Sequence, residues 1–393
     1  MGMADDSHAR PPHETDIAVA AQAHVAYTRR QHFAGLNGIR CLAILAVIWH
    51  HAPHPAWMPI MTRGFFGVDL FFALSGFLIA TLLIREKAKS GRVSLKNFWI
   101  RRMLRLVPAY YFLLAALVVV YLVFKPGSPD TAKLVNGLPV YALYLSNWFH
   151  PDAPNLAPTW SLATEEQFYL VWPLVEAFAA PLVGGAIWLA AFVGNQLVNF
   201  GLLDGVIAQH FGLAPDQHPE ILQTTFTPIL LGVALAHLLH RRGTYAIVAR
   251  VAGWRGASWA YALLLLALLN LPAADISGAF RLALHGVSVL FIAAIILRPQ
   301  GLLARGLESR VPNYIGTVSY GMYLYHLFCM HAATAIASKA GAPWAIFILT
   351  ALLTLLVSAA SYHVLEKPFL AMRSRFRILN PAADPREPNP ALT

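Results

Sequence analysis

Long apolar runs separated by short polar connections repeat along nearly the whole chain. They fall near residues 36–52, 64–84, 104–124, 137–149, 163–183, 184–203, 222–240, 257–271, 281–298, 314–337 and 344–365. Most approach the ~20 apolar residues that a helix needs to cross a bilayer. The pattern predicts an all-α fold, a polytopic transmembrane helical bundle. The connections are not equally charged. One carries Arg85, Lys87, Lys89, Arg92, Lys96, Arg101 and Arg102; others carry Arg241, Arg242, Arg250 and Arg255, then Arg298, Arg305 and Arg310, then Lys367, Arg373, Arg375 and Arg377. Basic loops stay in the cytoplasm. If every run crossed, the connection at Arg241 would lie outside, so one run between residues 125 and 222 does not cross. The weakest is 137–149, which is short and holds Gly137 and Pro139. The expectation is about ten crossings with both termini cytoplasmic, plus a short or re-entrant segment. The rival is that 137–149 crosses and a neighbour does not.

Composition agrees. The chain has 393 residues, 58% hydrophobic and only 12% charged, with mean hydropathy +0.56. A soluble chain carries about twice that charged fraction. The net charge of +10 sits in the few cytoplasmic connections, so it argues for membrane topology and membrane lipids as partners, with no nucleic acid. The two cysteines, Cys41 and Cys329, lie in apolar runs and imply no disulfide framework. Residues 1–34 read as a disordered cytoplasmic tail. Its run IAVAAQAHVA is short, with no basic region before it, and makes a poor signal peptide. His8, His13, His24 and His32 read as solvated there. Residues 35–370 form the membrane domain, and 371–393 a second cytoplasmic tail.

Ionisable side chains inside membrane helices are costly and mark function. Arg40 and His51 are eleven residues apart in the first run, about three turns and roughly 16 Å along one face. His50 is turned about 100° from that face. His51 is therefore the working histidine, and His50 an interfacial one. A metal site from His50, His51 and His54 is disfavoured, because Pro53 and Pro55 break the helix and no Cys or carboxylate completes it. Asp69 is expected level with His51, as the carboxylate that orients an imidazole base. Arg102 and Arg105 share a face at the cytoplasmic mouth, and arginine forks suit phosphate oxygens. Glu165 and Glu166 open the next helix. A first-turn cap accounts for one of them, and both are expected at the depth of His51. His326 lies inside an apolar run and needs a polar partner. His285 and His331 read as structural, and Glu366-Lys367-Pro368 as helix termination and anchoring.

Five motifs in order, Arg40 with His51, GVDLFFALSGFLI, FWIRRMLRLVPAYY, TWSLATEEQFYLVWP and SYGMYLYHLF, resemble the membrane-bound acyltransferase 3 family, which includes bacterial O-acetyltransferases of surface polysaccharides. The resemblance covers residues 36 to about 368. It implies a bacterial inner-membrane enzyme with no permanently bound cofactor. Acetyl-CoA (acyl-CoA) serves as cytoplasmic co-substrate, and a hydroxyl of an extracytoplasmic or lipid-linked glycan accepts the acyl group. It also implies roles for Arg40, His51, Asp69, Arg102, Arg105 and Glu165. The mechanism expected is that Arg102, Arg105 and Arg40 bind the donor. His51 then acts as base or transient acyl carrier, Asp69 orients it and Glu165 positions the acceptor. Trp160, Ser161, Glu166, Tyr169 and His326 are candidate contacts on the acceptor side, and no metal is expected. Some relatives add a C-terminal extracytoplasmic esterase-like domain. This chain stops at residue 393 without one, so the expectation is that a second transfer step either uses an extracytoplasmic partner protein or does not exist. The alternatives are a non-catalytic lipid-linked sugar carrier or flippase, a different acyl group such as succinyl, or a small hydroxylated acceptor such as a macrolide.

Overall fold

A computed structural model describes residues 12–54, 57–149, 151–211, 226–272, 276–337 and 343–376. All of its regular elements are helical. In chain order they are α1 (Pro12–Arg29), α2 (Leu36–His51), α3 (Phe66–Ser90), α4 (Leu95–Phe124), α5 (Pro129–Ala142), α6 (Thr159–Phe178), α7 (Pro181–Asn199) and α8 (Asp204–Phe211). Then follow α9 (Thr227–His240), α10 (Arg242–Ala252), α11 (Ala257–Asn270), α12 (Gly278–Leu297), α13 (Leu302–Leu307), α14 (Arg310–Ala337), α15 (Pro343–Ser361) and α16 (Lys367–Met372).

Cross-links at the helix ends assign each end of the bundle. At one end Arg85 donates to His240 Nε2 (3.2 Å), Arg298 to the Gly253 carbonyl (2.9 Å), and Arg101 to the Phe376 carbonyl (2.7 Å) and Glu86 (3.0 Å). This is the basic end. At the far end Arg63 donates to the carbonyls of Leu269 and Leu271 (2.9 Å each), and Asn199 to that of Gly278 (3.0 Å). Between these ends α4, α7 and α15 expose rows of large apolar side chains, among them Val123, Leu182, Ile348 and Leu356. Hydrocarbon is the environment that tolerates such surfaces, and the chain is a multi-pass membrane protein.

By length and apolarity α3, α4, α7, α12 and α15, the last continuing to Phe376, qualify as spans. The pair α10 and α11, bent by 67°, makes a further one. The expectation of about ten also counts α2 and α9, which are shorter apolar helices, α14, and α6, which carries Glu165, Glu166 and Glu176.

The weak segment is better placed by the structure than by the sequence. The helix is α5, residues 129–142 rather than 137–149. It packs against α4 with Tyr110 Oη on the Tyr141 carbonyl (2.9 Å) and Tyr111 Oη on that of Ala142 (2.6 Å). Both tyrosines lie midway along α4, so α5 descends only part of the way before the chain turns. Non-helical backbone at that depth needs internal partners. Gln167 of α6 supplies them: its amide nitrogen donates to the Tyr144 carbonyl and Asn147 Oδ1 (2.8 Å each). Its oxygen accepts from Asn147 and Trp148 (3.0 Å each).

Close backbone approach holds the centre together. A Cβ on Gly76 of α3 would overlap the Ile229 carbonyl oxygen of α9, and one on Gly232 of α9 would overlap that of Ala73. Gly67 meets the Ala43 carbonyl of α2 in the same way, and Gly316 of α14 that of Asn37. Small residues at such crossings are a common membrane packing device. Gly76→Leu is expected to cost more than about 3 kcal/mol and to remove the monodisperse peak in size-exclusion chromatography. Gly185→Leu on α7, with nothing near its Cβ position, should leave that peak unchanged.

The tail expected to be disordered is helical from residue 12 to 29. Tyr27 of α1 is buried and its ring meets the His240 ring edge-on at 5.1 Å. Arg30 reaches the Ile296 carbonyl (2.5 Å). His8 lies outside the described residues, and His24 is not free in solvent but contacts the His240 carbonyl (3.1 Å). The second tail, expected from 371, is structured to Phe376; residues 377–393 lie outside the described residues.

Candidate functional site: a basic cavity beneath two histidines

A half-open cavity lies among α2, α3, α4, α6 and α14. Arg40, Ser75, Arg102, Arg105, Ser161, Glu165, Tyr169, Ser319, Tyr320 and Tyr323 supply its polar lining. Phe71, Phe72, Leu78, Leu106 and Leu162 are among its apolar walls. Three of the four charged members are held by a direct contact. Glu165 accepts a hydrogen bond from Ser75 Oγ at 2.6 Å. Arg40 donates to Asn37 Oδ1 (2.9 Å), Asn37 to Asn313 (2.8 Å), and Asn313 to Glu308 (3.0 Å). That chain anchors Arg40 from the basic end. The Arg102 guanidinium lies over the Tyr169 ring at 4.4 Å. Tyr169 is itself pinned through a proline. Pro173 has no N–H, so the Tyr169 carbonyl four residues earlier loses its helical donor. Trp99 Nε1 of α4 fills that place at 3.1 Å.

Three guanidinium groups against one carboxylate leave the cavity with surplus positive charge. Such a lining suits an anionic ligand with phosphate oxygens. Glu366 adds a partner that sequence reasoning missed. It was read as termination and anchoring, but it is 3% exposed. It sits in the π-helical turn Tyr362–Glu366, within electrostatic reach of Arg105, and its Oε1 has no hydrogen-bond partner. A π-turn at a buried carboxylate is the signal of a functional position, and no sequence pattern announces it.

His51, Asp69 and Glu165 do not meet in one cluster as expected, and each has separate partners. Glu165 belongs to the cavity with the arginines. Asp69 lies elsewhere: its carboxylate is 3.5 Å from Arg281 Nη2 and 3.3 Å from His285 Nε2, both on α12. Helix rotation explains this. Gly67 faces α2, and Asp69 is two residues, about 200°, around the same helix, so it turns from α2 toward α12. Arg281 and His285 were not singled out as a pair, although their spacing of one helical turn in an apolar run was a readable signal.

His51 is partly buried at the far end of α2 and does not line the cavity. Its Nδ1 is 2.9 Å from the Val47 carbonyl. A carbonyl only accepts, so Nδ1 carries the proton and Nε2 is a bare acceptor. Its ring meets that of His326 at 4.8 Å, edge to face. His326 in turn stands 5.7 Å from the Tyr323 ring, and Tyr323 does line the cavity. Tyr323 Oη accepts from Ser161 (2.7 Å) and donates to the Pro158 carbonyl (2.8 Å). The order from the basic end is therefore arginines, Glu165, Tyr323, His326, His51. His50 packs edge-on against both His51 at 5.1 Å and Phe65 at 5.6 Å. Trp160 packs on Phe72 (6.1 Å), and Glu166 lies outside the cavity lining. Among the described residues no three His, Cys, Asp or Glu side chains group as a metal site.

Residues 33–363 match the family model of the acyltransferase domain named Acyl_transf_3. The O-acetyltransferase OatA of Staphylococcus aureus strain NCTC 8325 is 30% identical over 359 residues, 86% of this chain and 57% of its own length. OatA of strain COL gives the same figures. The chain thus spans little more than half the length of these relatives. No solved structure matches it significantly. On the match over residues 33–363, the chain belongs to the acyltransferase 3 family.

Proposed function

We propose that this protein is a membrane O-acyltransferase. It moves an acetyl or other short acyl group from cytoplasmic acyl-CoA to a hydroxyl of an extracytoplasmic or lipid-linked glycan. It works in the bacterial cytoplasmic membrane, crossing about ten times with the basic end and both termini inside. The observation that carries the reading is the layered order of the site. A cavity suited to an anion sits toward the basic end, and a histidine with a bare Nε2 stands toward the far end.

Arg102 and Arg105 receive the donor phosphates, with Arg40 deeper. Glu165 balances their charge and orients the acyl end, and Ser161, Tyr169 and Tyr323 shape the passage. The acceptor hydroxyl gives its proton to His51 Nε2 as its oxygen attacks the thioester carbonyl. The carbon–sulfur bond breaks, and the imidazole returns the proton to the thiolate, releasing CoA and the ester. Asp69 acts at a distance, by fixing α12 against α3.

Arg102→Gln and Arg105→Gln each remove one charge-assisted contact, worth about 1.5–3 kcal/mol. KM for acetyl-CoA is expected to rise tenfold to about a hundredfold in each, with kcat within a few-fold. Initial rates of label transfer from [14C]acetyl-CoA in inverted membrane vesicles measure this. An unchanged KM in both variants would place the donor elsewhere.

A further inference from the structure

A base that becomes an imidazolium inside a membrane needs a group to stabilise it. Among the described residues, the carboxylate expected for that task, Asp69, stands instead beside Arg281 and His285. The rings that do face His51 are those of His50 at 5.1 Å and His326 at 4.8 Å. His50 also packs edge-on against Phe65. Each of the two has a buried ring nitrogen with no hydrogen-bond partner, Nδ1 in His50 and Nε2 in His326. His326 is the one that stands beside Tyr323 and so joins His51 to the cavity. Its Nδ1 is 2.8 Å from the Tyr323 carbonyl, so that nitrogen carries the proton and Nε2 holds a lone pair. His326 is 1% exposed, and its Nε2 has no hydrogen-bond partner. A buried acceptor left unpaired costs about 1–3 kcal/mol, and native structures keep such groups where chemistry supplies the partner.

We propose that His326 shares the proton that His51 takes from the acceptor hydroxyl, as a positioning residue acting through His51. The inference rests on the acyl-transfer reading above. The acceptor O–H proton passes to His51 Nε2, and the new N–H donates to His326 Nε2, which spreads the charge over two imidazoles. When the carbon–sulfur bond breaks, the proton leaves for the thiolate and both rings end neutral. No other reactant is consumed. Two backbone carbonyls hold this arrangement: Val47 on α2 fixes one tautomer and Tyr323 on α14 the other. Tyr323 Oη does not compete, because its proton is given to the Pro158 carbonyl.

The test compares His326→Leu, His326→Gln and His51→Ala as full chains in inverted vesicles. [14C]Acetyl-CoA is the probe, and base-labile label in the vesicle lipid and glycan fraction is counted per mole of folded chain. Leucine keeps bulk and removes the acceptor, whereas glutamine restores an acceptor oxygen. His326→Leu is expected to lower Vmax about a hundredfold with KM for acetyl-CoA unchanged. His326→Gln should remain within about tenfold of wild type. Wild-type Vmax in His326→Leu overturns the proposal, as does equal loss in both variants with a raised KM, which marks a packing role. If leucine prevents assembly, His326→Met carries the same expectation. His51→Ala separates the two levels. Wild-type transfer in that variant removes His51 as the base and the shared proton with it, whereas no transferred label in the wild type itself defeats the acyl-transfer reading. Loss there beside a normal His326→Leu defeats only the shared proton.

Discussion

His51→Ala is expected to lower acyl transfer by about 10²–10⁴-fold, the range that a positioned general base supplies. Two features of the structure make the loss specific to the chemical step. The Val47 carbonyl holds Nδ1 as a donor, so Nε2 is the atom removed from service. The donor arginines line a cavity that His51 does not touch, and Arg40 is roughly 16 Å down the same helix. KM for acetyl-CoA should therefore stay within a few-fold while kcat collapses. His50→Ala is the matched control, because that ring packs against His51 and Phe65 but makes no ring contact with His326 and does not line the cavity; its rate should remain within a few-fold. Rates are compared at equal amounts of inserted protein. Equal activity of His51→Ala and wild type would remove the base from the mechanism.

The second large effect is on stability. Asp69→Ala leaves Arg281 and His285 without their carboxylate, 5% exposed in the native protein. Removing one partner of a buried ion pair costs about 3–5 kcal/mol, because the remaining charge stays buried and unpaired. The thermal midpoint of the detergent-solubilised protein should fall well below wild type. Asp69→Ala combined with Arg281→Leu should recover part of the loss, since the pair is coupled. A wild-type midpoint with lost kcat would return Asp69 to the chemistry, as the sequence suggested.

The comparison of Asp69 with Glu165 shows what could be read in advance. The runs of apolar residues carry the helices and their membrane character, because hydrocarbon selects composition before packing matters. The interrupted run near Pro139 was recognisable as a short segment, and in the structure it is the 14-residue helix α5. Its helix begins earlier, at Pro129, because Ser128 caps it by accepting from the Thr131 N–H at 3.2 Å, a signal hidden in a polar stretch. Arg40, Arg102, Arg105, Ser161, Glu165 and Tyr169 were all candidates, and all line one cavity. The partner expected for Asp69 differs from the one it has, because height along a helix was weighed without rotation. The contact between Gly67 and α2 decides which way that carboxylate points. Glu366 was hidden for another reason. The residues Glu366-Lys367-Pro368 look like a helix end, and only the π-turn that buries the carboxylate separates it from an anchor.

Reconstitution tests the central claim most directly. The purified chain is placed in sealed liposomes made from the lipid extract of the expressing cells. [14C]Acetyl-CoA is then supplied only to the face that carries Arg102. Base-labile label on hydroxyls of the lipid-linked saccharides, absent with His51→Ala, is the predicted result. Movement of those saccharides across the bilayer without label, undiminished in His51→Ala, would contradict the account.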